Sequence, residues 1–323
     1  MAAHPLVASD GVVVAELVRD SVVESLHHGV VAVVDSTGTL LLERGDSTAV
    51  VYPRSTLKPL QALAVLATGV ELTDLELALT TASHCGSVEH RRAVDTFLVR
   101  HGLTPSHLQC PIDWPLGATE RAHMASDEGE PNRLAMNCSG KHAGFLAACQ
   151  HRGWDLETYL HPSHPLQRFI LETITNYAQE APAFSSTDGC GSPLHALSVR
   201  GIASALATVA KAEQPAEKQL LSAVRSHAWA LDGHGRDNTV TIDTLGGIAK
   251  IGAEGLVVIA TPEGVSVAVK ILDGSMRATT PVALAALAEV GAISPSNRDQ
   301  LSQRFALEVK GGEHTIGALR TSL

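Results

Sequence analysis

Two apolar, β-branched runs, Val30 to Asp35 and Thr39 to Glu43, flank the turn residues Ser36-Thr37-Gly38, a pattern that predicts a hairpin. The same pattern returns late in the chain. Ile248 to Gly252, Leu256 to Ala260 and Val265 to Leu272 are separated by Ala253-Glu254-Gly255 and Thr261-Pro262-Glu263-Gly264, which predicts a three-stranded meander. Between these ends apolar positions recur at helical spacing, and helices are expected at about 73–82, 87–101, 141–152, 164–179 and 215–231, with another at Val282 to Val290. One antiparallel sheet of about five strands, built from both chain ends with helices inserted between them, satisfies this order most economically. The expected class is α/β (α+β), a single unit with a sheet lobe at about 1–55 and 240–323 and a helical lobe at about 56–239. Residues 105–137 are the least organised and are expected to form an active-site loop.

Leu57, Leu60, Leu63, Ala64 and Ala67 repeat at helical spacing while Ala62, Val65 and Leu66 fill the other face, so this helix is expected in the core. Pro59 fits a first turn, where backbone N–H groups lack intrahelical partners. Ser55 and Lys58 open this segment at a spacing of three, which predicts that hydroxyl and amine meet on one helix face. A serine beside an amine suggests acyl transfer, provided burial or a second cation keeps the amine neutral. Backbone N–H groups at the helix start, that of Ser55 included, are expected to stabilise an oxyanion, with a further donor on the meander.

Composition narrows the classes. A length of 323 residues with 45% apolar and 18% charged residues fits a compact protein with a large core. A net charge of −10 with 3% aromatic residues gives neither the basic patches nor the stacking platforms of nucleic-acid binders. The first twenty residues lack a secretory pattern and no apolar run is long enough to span a membrane, so a cytoplasmic protein with no nucleic-acid or membrane partner is expected. Five cysteines, an odd number in a long chain, suit reduced thiols.

Lys250-Ile251-Gly252 supplies a second lysine at a strand end, and glycine there lets a substrate lie against the strand edge. Ser-x-x-Lys on a buried helix followed by Lys-x-Gly on a late strand is the pair that marks the serine β-lactamase and penicillin-binding fold. Taken singly, Lys250 could equally be a solvated strand residue, and Ser83, in Ala82-Ser83-His84, a turn residue. Asn137-Cys138-Ser139-Gly140-Lys141-His142 is not a phosphate loop, because Ala135 replaces the leading glycine and His142 the hydroxyl residue. Thr187-Asp188-Gly189-Cys190-Gly191-Ser192-Pro193 is a glycine-rich turn suited either to ligand approach or to the surface. Cys138 and Cys190 have no Cys-x-x-Cys spacing, so spacing alone gives no zinc site.

Taken together and in this order, these motifs resemble the Rhizobium-type L-asparaginases, the thermolabile or inducible class of the asparaginase II family, from about Val30 to Asp273. The resemblance implies hydrolysis of L-asparagine to L-aspartate and ammonia, a fold similar to serine β-lactamases and glutaminases, and a homodimer. It implies two Ser-Lys tandems, Ser55 with Lys58 and Ser83 with Lys250, and of these Ser55 is taken as nucleophile and Lys58 as base. It further implies Zn2+ beside the substrate on Cys138, Lys141 and Cys190, tuning binding without being required for the chemical step, and no organic cofactor. Arg54, His142 and Asp188 are the implied substrate contacts, Asp188 for the α-amino group. Cys85-Gly86-Ser87 departs from the polar or acidic run of many relatives, which leaves substrate preference open.

Two rivals stand beside this expectation. One is a glutaminase or β-lactam-reactive hydrolase of the same fold, since two serines and two lysines do not encode side-chain length. The other is a non-catalytic amino-acid-binding regulatory protein.

Overall fold

The computed structural model describes residues 4–323. Its main sheet is antiparallel and contains eight strands. In chain order, with numbers shared across both sheets, these are β2 (Val12–Arg19), β3 (Val22–Val34), β4 (Leu40–Arg44), β8 (Ile248–Gly252), β9 (Leu256–Ala260), β10 (Ser266–Ile271), β11 (Glu308–Gly311) and β12 (His314–Thr321). A second, small sheet has the order β1 (His4–Pro5), β5 (Ala49–Val51), β7 (Pro193–Ser198), β6 (Phe184–Thr187).

The large sheet runs β11-β12-β2-β3-β10-β9-β8, and β4 pairs with the second half of the long strand β3. All five expected strands lie in it, drawn from both chain ends. Three more, β2, β11 and β12, extend its far side. β12 is largely exposed, so it lacks the apolar run that would mark a strand in sequence.

Every residue of β9 and β10 is buried, so both faces of the sheet are covered there. The helices Val199–Lys211 and Thr279–Glu289 pack on these strands. The first was not expected from the sequence, although its core face is apolar throughout. The expected helices form at Asp74–Thr80, Val88–Arg100, Ser139–Arg152 and Pro165–Ala178, and the 215–231 stretch breaks at His227 into Pro215–Ser226 and Ala228–Leu231. The 105–137 stretch is less irregular than expected, holding a helix at Ala118–Ser126 and a bridge between Asp113 and Asn132. Among the described residues, no helix is long and apolar enough to cross a membrane.

Two features of this frame place the chemistry. β8 is the edge strand of the large sheet on the side of the inserted helices. The Arg54–Leu57 segment packs on β8 and β9, and Gly252 makes room for it: a Cβ there would lie 3.0 Å from the Pro53 carbonyl oxygen and 3.0 Å from Thr56 Cγ2.

Candidate active site

Arg54–Leu57 is a 3-10 turn and the α-helix begins only at Lys58, so Ser55 precedes the regular helix. Thr56 fixes the turn by donating from both its backbone N–H and its hydroxyl to the Pro53 carbonyl. Arg54 takes a left-handed conformation, φ 51°, which an L-residue adopts at a cost of order 1 kcal/mol or more. Its guanidinium Nε donates to Asp188 Oδ1 at 2.7 Å. That ion pair, reaching from the turn before Ser55 to the glycine-rich turn, holds the strained residue in place.

Lys58 is buried, 1% exposed, and among the described residues no hydrogen bond joins it to Ser55. The amine instead donates to Ser83 Oγ at 2.9 Å, to the Ala82 carbonyl and to Cys138 Sγ at 3.2 Å. A spacing of three along the chain therefore leaves these groups without a hydrogen bond, because the long lysine side chain turns to the Ala82-Ser83 segment packed beside it.

Ser83 is held from the other side by Lys250, whose Nζ stands 2.9 Å from Ser83 Oγ and donates to the Ile251 carbonyl at 2.8 Å. Lys250 is fully buried on β8 and is no solvated strand residue. Burial first, and the Lys58 cation second, push its pKa down to about 7. One hydroxyl thus lies between two buried lysines, one of them poised to be neutral near pH 7.

The segment 83–85 is clamped by backbone bonds. Ser83 N–H donates to Leu231 O, His84 N–H to Asn137 O and Cys85 N–H to Asp232 O. His84 is buried and bonds Ser139 Oγ at 2.9 Å, and burial holds it well below the usual histidine range, so it stays neutral.

Cys138, Lys141 and Cys190 converge beside this pair. Lys141 Nζ donates to Cys190 Sγ at 3.0 Å and to Ser192 Oγ at 2.6 Å, and Cys138 Sγ contacts Asn137 Oδ1 at 3.0 Å. The glycine-rich turn is therefore no surface turn at its centre, since Cys190 and Ser192 are buried. The Cys138 thiol and the Lys141 ammonium hold Cys190 far below the usual thiol range. The same pairing with Cys190, together with burial, pushes Cys138 well up. Burial, the largest single effect, lowers Lys141, but Cys190, Cys138 and Asp188 together outweigh it and the net shift is upward.

His142 donates or accepts through Nδ1 with Tyr159 OH at 2.6 Å, while its Nε2 is buried with no partner. Burial also lowers its pKa. Thiolate and imidazole are donor types that zinc takes, but among the described residues Cys138, Cys190 and His142 do not all bring a ligand atom within 4.8 Å of one another.

Arg54 and Asp188 line a cleft of about 510 Å³ together with Tyr52, Glu254 and Lys270. Lys270 was not singled out in the sequence. It interrupts the apolar strand β10, is 8% exposed, and donates to the Glu254 carbonyl. Register puts it opposite Leu256, which in turn faces Gly252, so Lys270 shares the sheet face of Lys250 two residues along. A lysine at a central strand position was itself the signal: an ammonium there is costly to bury unless it has work to do.

The sequence profile of the family described as L-asparaginase II matches residues 15–321. No curated protein sequence matches the chain significantly. Among solved structures the chain is similar to a β-lactamase from Mycobacterium bovis, at a TM-score of 0.45 and 14% identity over 81% of this chain and 94% of that one. It is similar also to a Bacillus glutaminase, at a TM-score of 0.36 and 12% identity over 83% and 92%. A third similar structure, Mglu in its glutamate form, has a TM-score of 0.45 and 14% identity, with 86% of this chain spanning 60% of that one.

Proposed function

Since the chain belongs to the L-asparaginase II family, a family of amidohydrolases, we propose that it hydrolyses L-asparagine to L-aspartate and ammonia through an ester on a lysine-activated serine. The observation that carries this reading is the Ser83 hydroxyl bracketed at 2.9 Å by both Lys58 and Lys250. Within the family we assign it to the Rhizobium-type class, on the order of its motifs and on Cys138, Lys141 and Cys190.

Ser83 takes over the nucleophile's role from Ser55 in this reading, because a nucleophile must lie beside its base. Neutral Lys250 accepts the Ser83 proton as Oγ attacks the side-chain amide carbon, and the Lys58 ammonium balances the charge on the hydroxyl oxygen. The C–N bond then breaks, and the nitrogen leaves as ammonia with the proton returned from Lys250. Water, deprotonated by the same amine, attacks the β-aspartyl ester and releases aspartate with Ser83 restored. A strand donor for the oxyanion is not Ile251 N–H, which is already bonded to Asn238 Oδ1 at 2.9 Å.

In this reading Arg54, Asp188 and Lys270 bind the substrate's α-amino and α-carboxylate groups in the cleft they line, and His142 contacts substrate or water. Cys138, Lys141 and Cys190 would hold Zn2+, whose positive charge would polarise a bound ligand. The assembly expected for such an enzyme is a cytoplasmic homodimer.

A second reading keeps Ser55 as nucleophile. It is favoured by the strained Arg54 immediately before it. Ammonia release from L-asparagine by Ser83→Ala and Ser55→Ala, with mass spectrometry of the quenched enzyme to find the acylated peptide, separates the two. Loss of activity in Ser83→Ala with the ester on the Ser83 peptide supports the first reading. An ester on Ser55 replaces it with the second, and wild-type turnover in both variants ends the serine mechanism.

A further inference from the structure

We infer that Asn238 and Asp232 are positioning residues that lock the strand bearing Lys250 and the segment bearing Ser83 into one bracket. β8 is an edge strand, so its outward N–H and C=O groups have no strand partner. Asn238 supplies one: its Oδ1 accepts from Ile251 N–H at 2.9 Å. The carbonyl of that same residue accepts from Lys250 Nζ at 2.8 Å. The backbone that orients the amine is therefore pinned by a side chain 3% exposed.

Asn238 is held in turn. Its backbone N–H donates to Asp232 Oδ2 at 3.2 Å, and Asp232 Oδ1 accepts from Arg236 Nε at 2.6 Å. The backbone of the same stretch reaches the nucleophile side, because Leu231 O accepts from Ser83 N–H at 2.9 Å and Asp232 O from Cys85 N–H at 2.6 Å. Gly233 keeps the two segments close. Its φ is 144°, and a Cβ there would lie 2.7 Å from Cys85 Sγ. Residues 231–238 thus touch both halves of the Ser83–Lys250 pair and neither of its reacting atoms.

Two consequences follow. Reacting groups must be held within about 0.5 Å of productive geometry, and misplacement by about 1 Å can cost a hundredfold in rate. Asp232 also acts through charge: of the groups facing Lys250, Lys58 favours the neutral amine, while Asp232 and Cys138 oppose it.

This inference rests on the Ser–Lys reading above. Its test is steady-state ammonia release from L-asparagine across pH by the full-length wild type, Asn238→Ala, Asn238→Asp and Asp232→Asn, with rates referred to folded protein by circular dichroism. Asn238→Ala is expected to lower kcat by roughly tenfold or more with KM within about twofold. Asn238→Asp keeps an acceptor for Ile251 N–H, so kcat is retained, and its added negative charge moves the acid limb of the pH profile upward. Asp232→Asn moves that limb downward, a shift that a merely structural role would not produce. If Asn238→Ala does not fold, the opposite limb shifts of the other two variants decide. Wild-type kcat in Asn238→Ala, or unmoved limbs in both charge variants, overturns the inference. A wild type that releases no ammonia from either L-asparagine or L-glutamine instead overturns the amidohydrolase reading on which the inference rests.

Discussion

Lys250 Nζ lies 2.9 Å from Ser83 Oγ, two atoms 167 residues apart in the chain that meet inside the fold. Because Lys250 is lowered to about 7 by burial and by Lys58, kcat/KM for L-asparagine should climb about tenfold per pH unit below 7 and level off above it. A pH profile flat between 5 and 9 would remove Lys250 as base. Stability carries the same signature with a fixed sign. Folded Lys250 binds fewer protons than unfolded Lys250 between about 7 and 10.4, so the cost of burying it is full below pH 7 and fades as pH rises towards 10.4. Lys250→Met should therefore be inactive yet more stable than wild type at pH 7, with the difference shrinking by pH 10 in urea melts.

Lys270 shares the Lys250 face of the sheet and lines the cleft with Arg54 and Asp188. Lys270→Met should raise KM for L-asparagine by roughly tenfold or more, since a charge-assisted hydrogen bond to a carboxylate is worth about 1.5–3 kcal/mol. An analogue with its α-carboxylate converted to an amide should lose far less. Equal losses for both compounds would show that Lys270 does not read the α-carboxylate.

Zinc content by mass spectrometry after purification should fall to background in Cys190→Ser and Cys138→Ser. Lys141 can ligate only as the free amine, and Cys190, Cys138 and Asp188 together hold it protonated to higher pH than usual against the effect of burial. Apparent zinc affinity should thus rise with pH, by about tenfold per unit for each proton released. Stripping the metal with a chelator should raise KM more than it lowers kcat. Metal uptake unchanged in both cysteine variants would place zinc elsewhere.

Gly140, at the start of the helix that carries Lys141, meets the Leu79 carbonyl so closely that an added Cβ would lie 2.5 Å from its oxygen. Gly140→Ala should force this helix away from the Leu79–Ser83 segment and destabilise the protein by about 1–3 kcal/mol. Thermal melting checks the stability, and ammonia release, falling out of proportion to the unfolded fraction, checks the displacement.

The chain by itself determined the central strands, most of the inserted helices and the reactive side chains available. The five runs bounded by turn residues, from Val30 to Glu43 and Ile248 to Leu272, become strands of one sheet because each carries its apolar pattern locally. Ser55, Lys58 and Lys250 stood out as reactive types at turns and element ends, whereas Ser83, Cys138, Lys141, Asp188 and Cys190 acquired roles only through the order of the motifs they share with the family. Strands such as β12, exposed and mixed in character, left no such trace.

What only the tertiary structure decided was partnership. Local spacing allowed Lys58 to meet Ser55, but the amine donates instead to Ser83, 25 residues away in the chain. Asn238 is an ordinary helical asparagine until the free edge of β8 comes to rest against it, and Lys270 is an odd residue in a strand until Arg54 and Asp188 close around its cleft. A sequence records which groups are available. Side chains several ångströms long select their partners only once packing has brought distant segments together and removed the water that would otherwise solvate them.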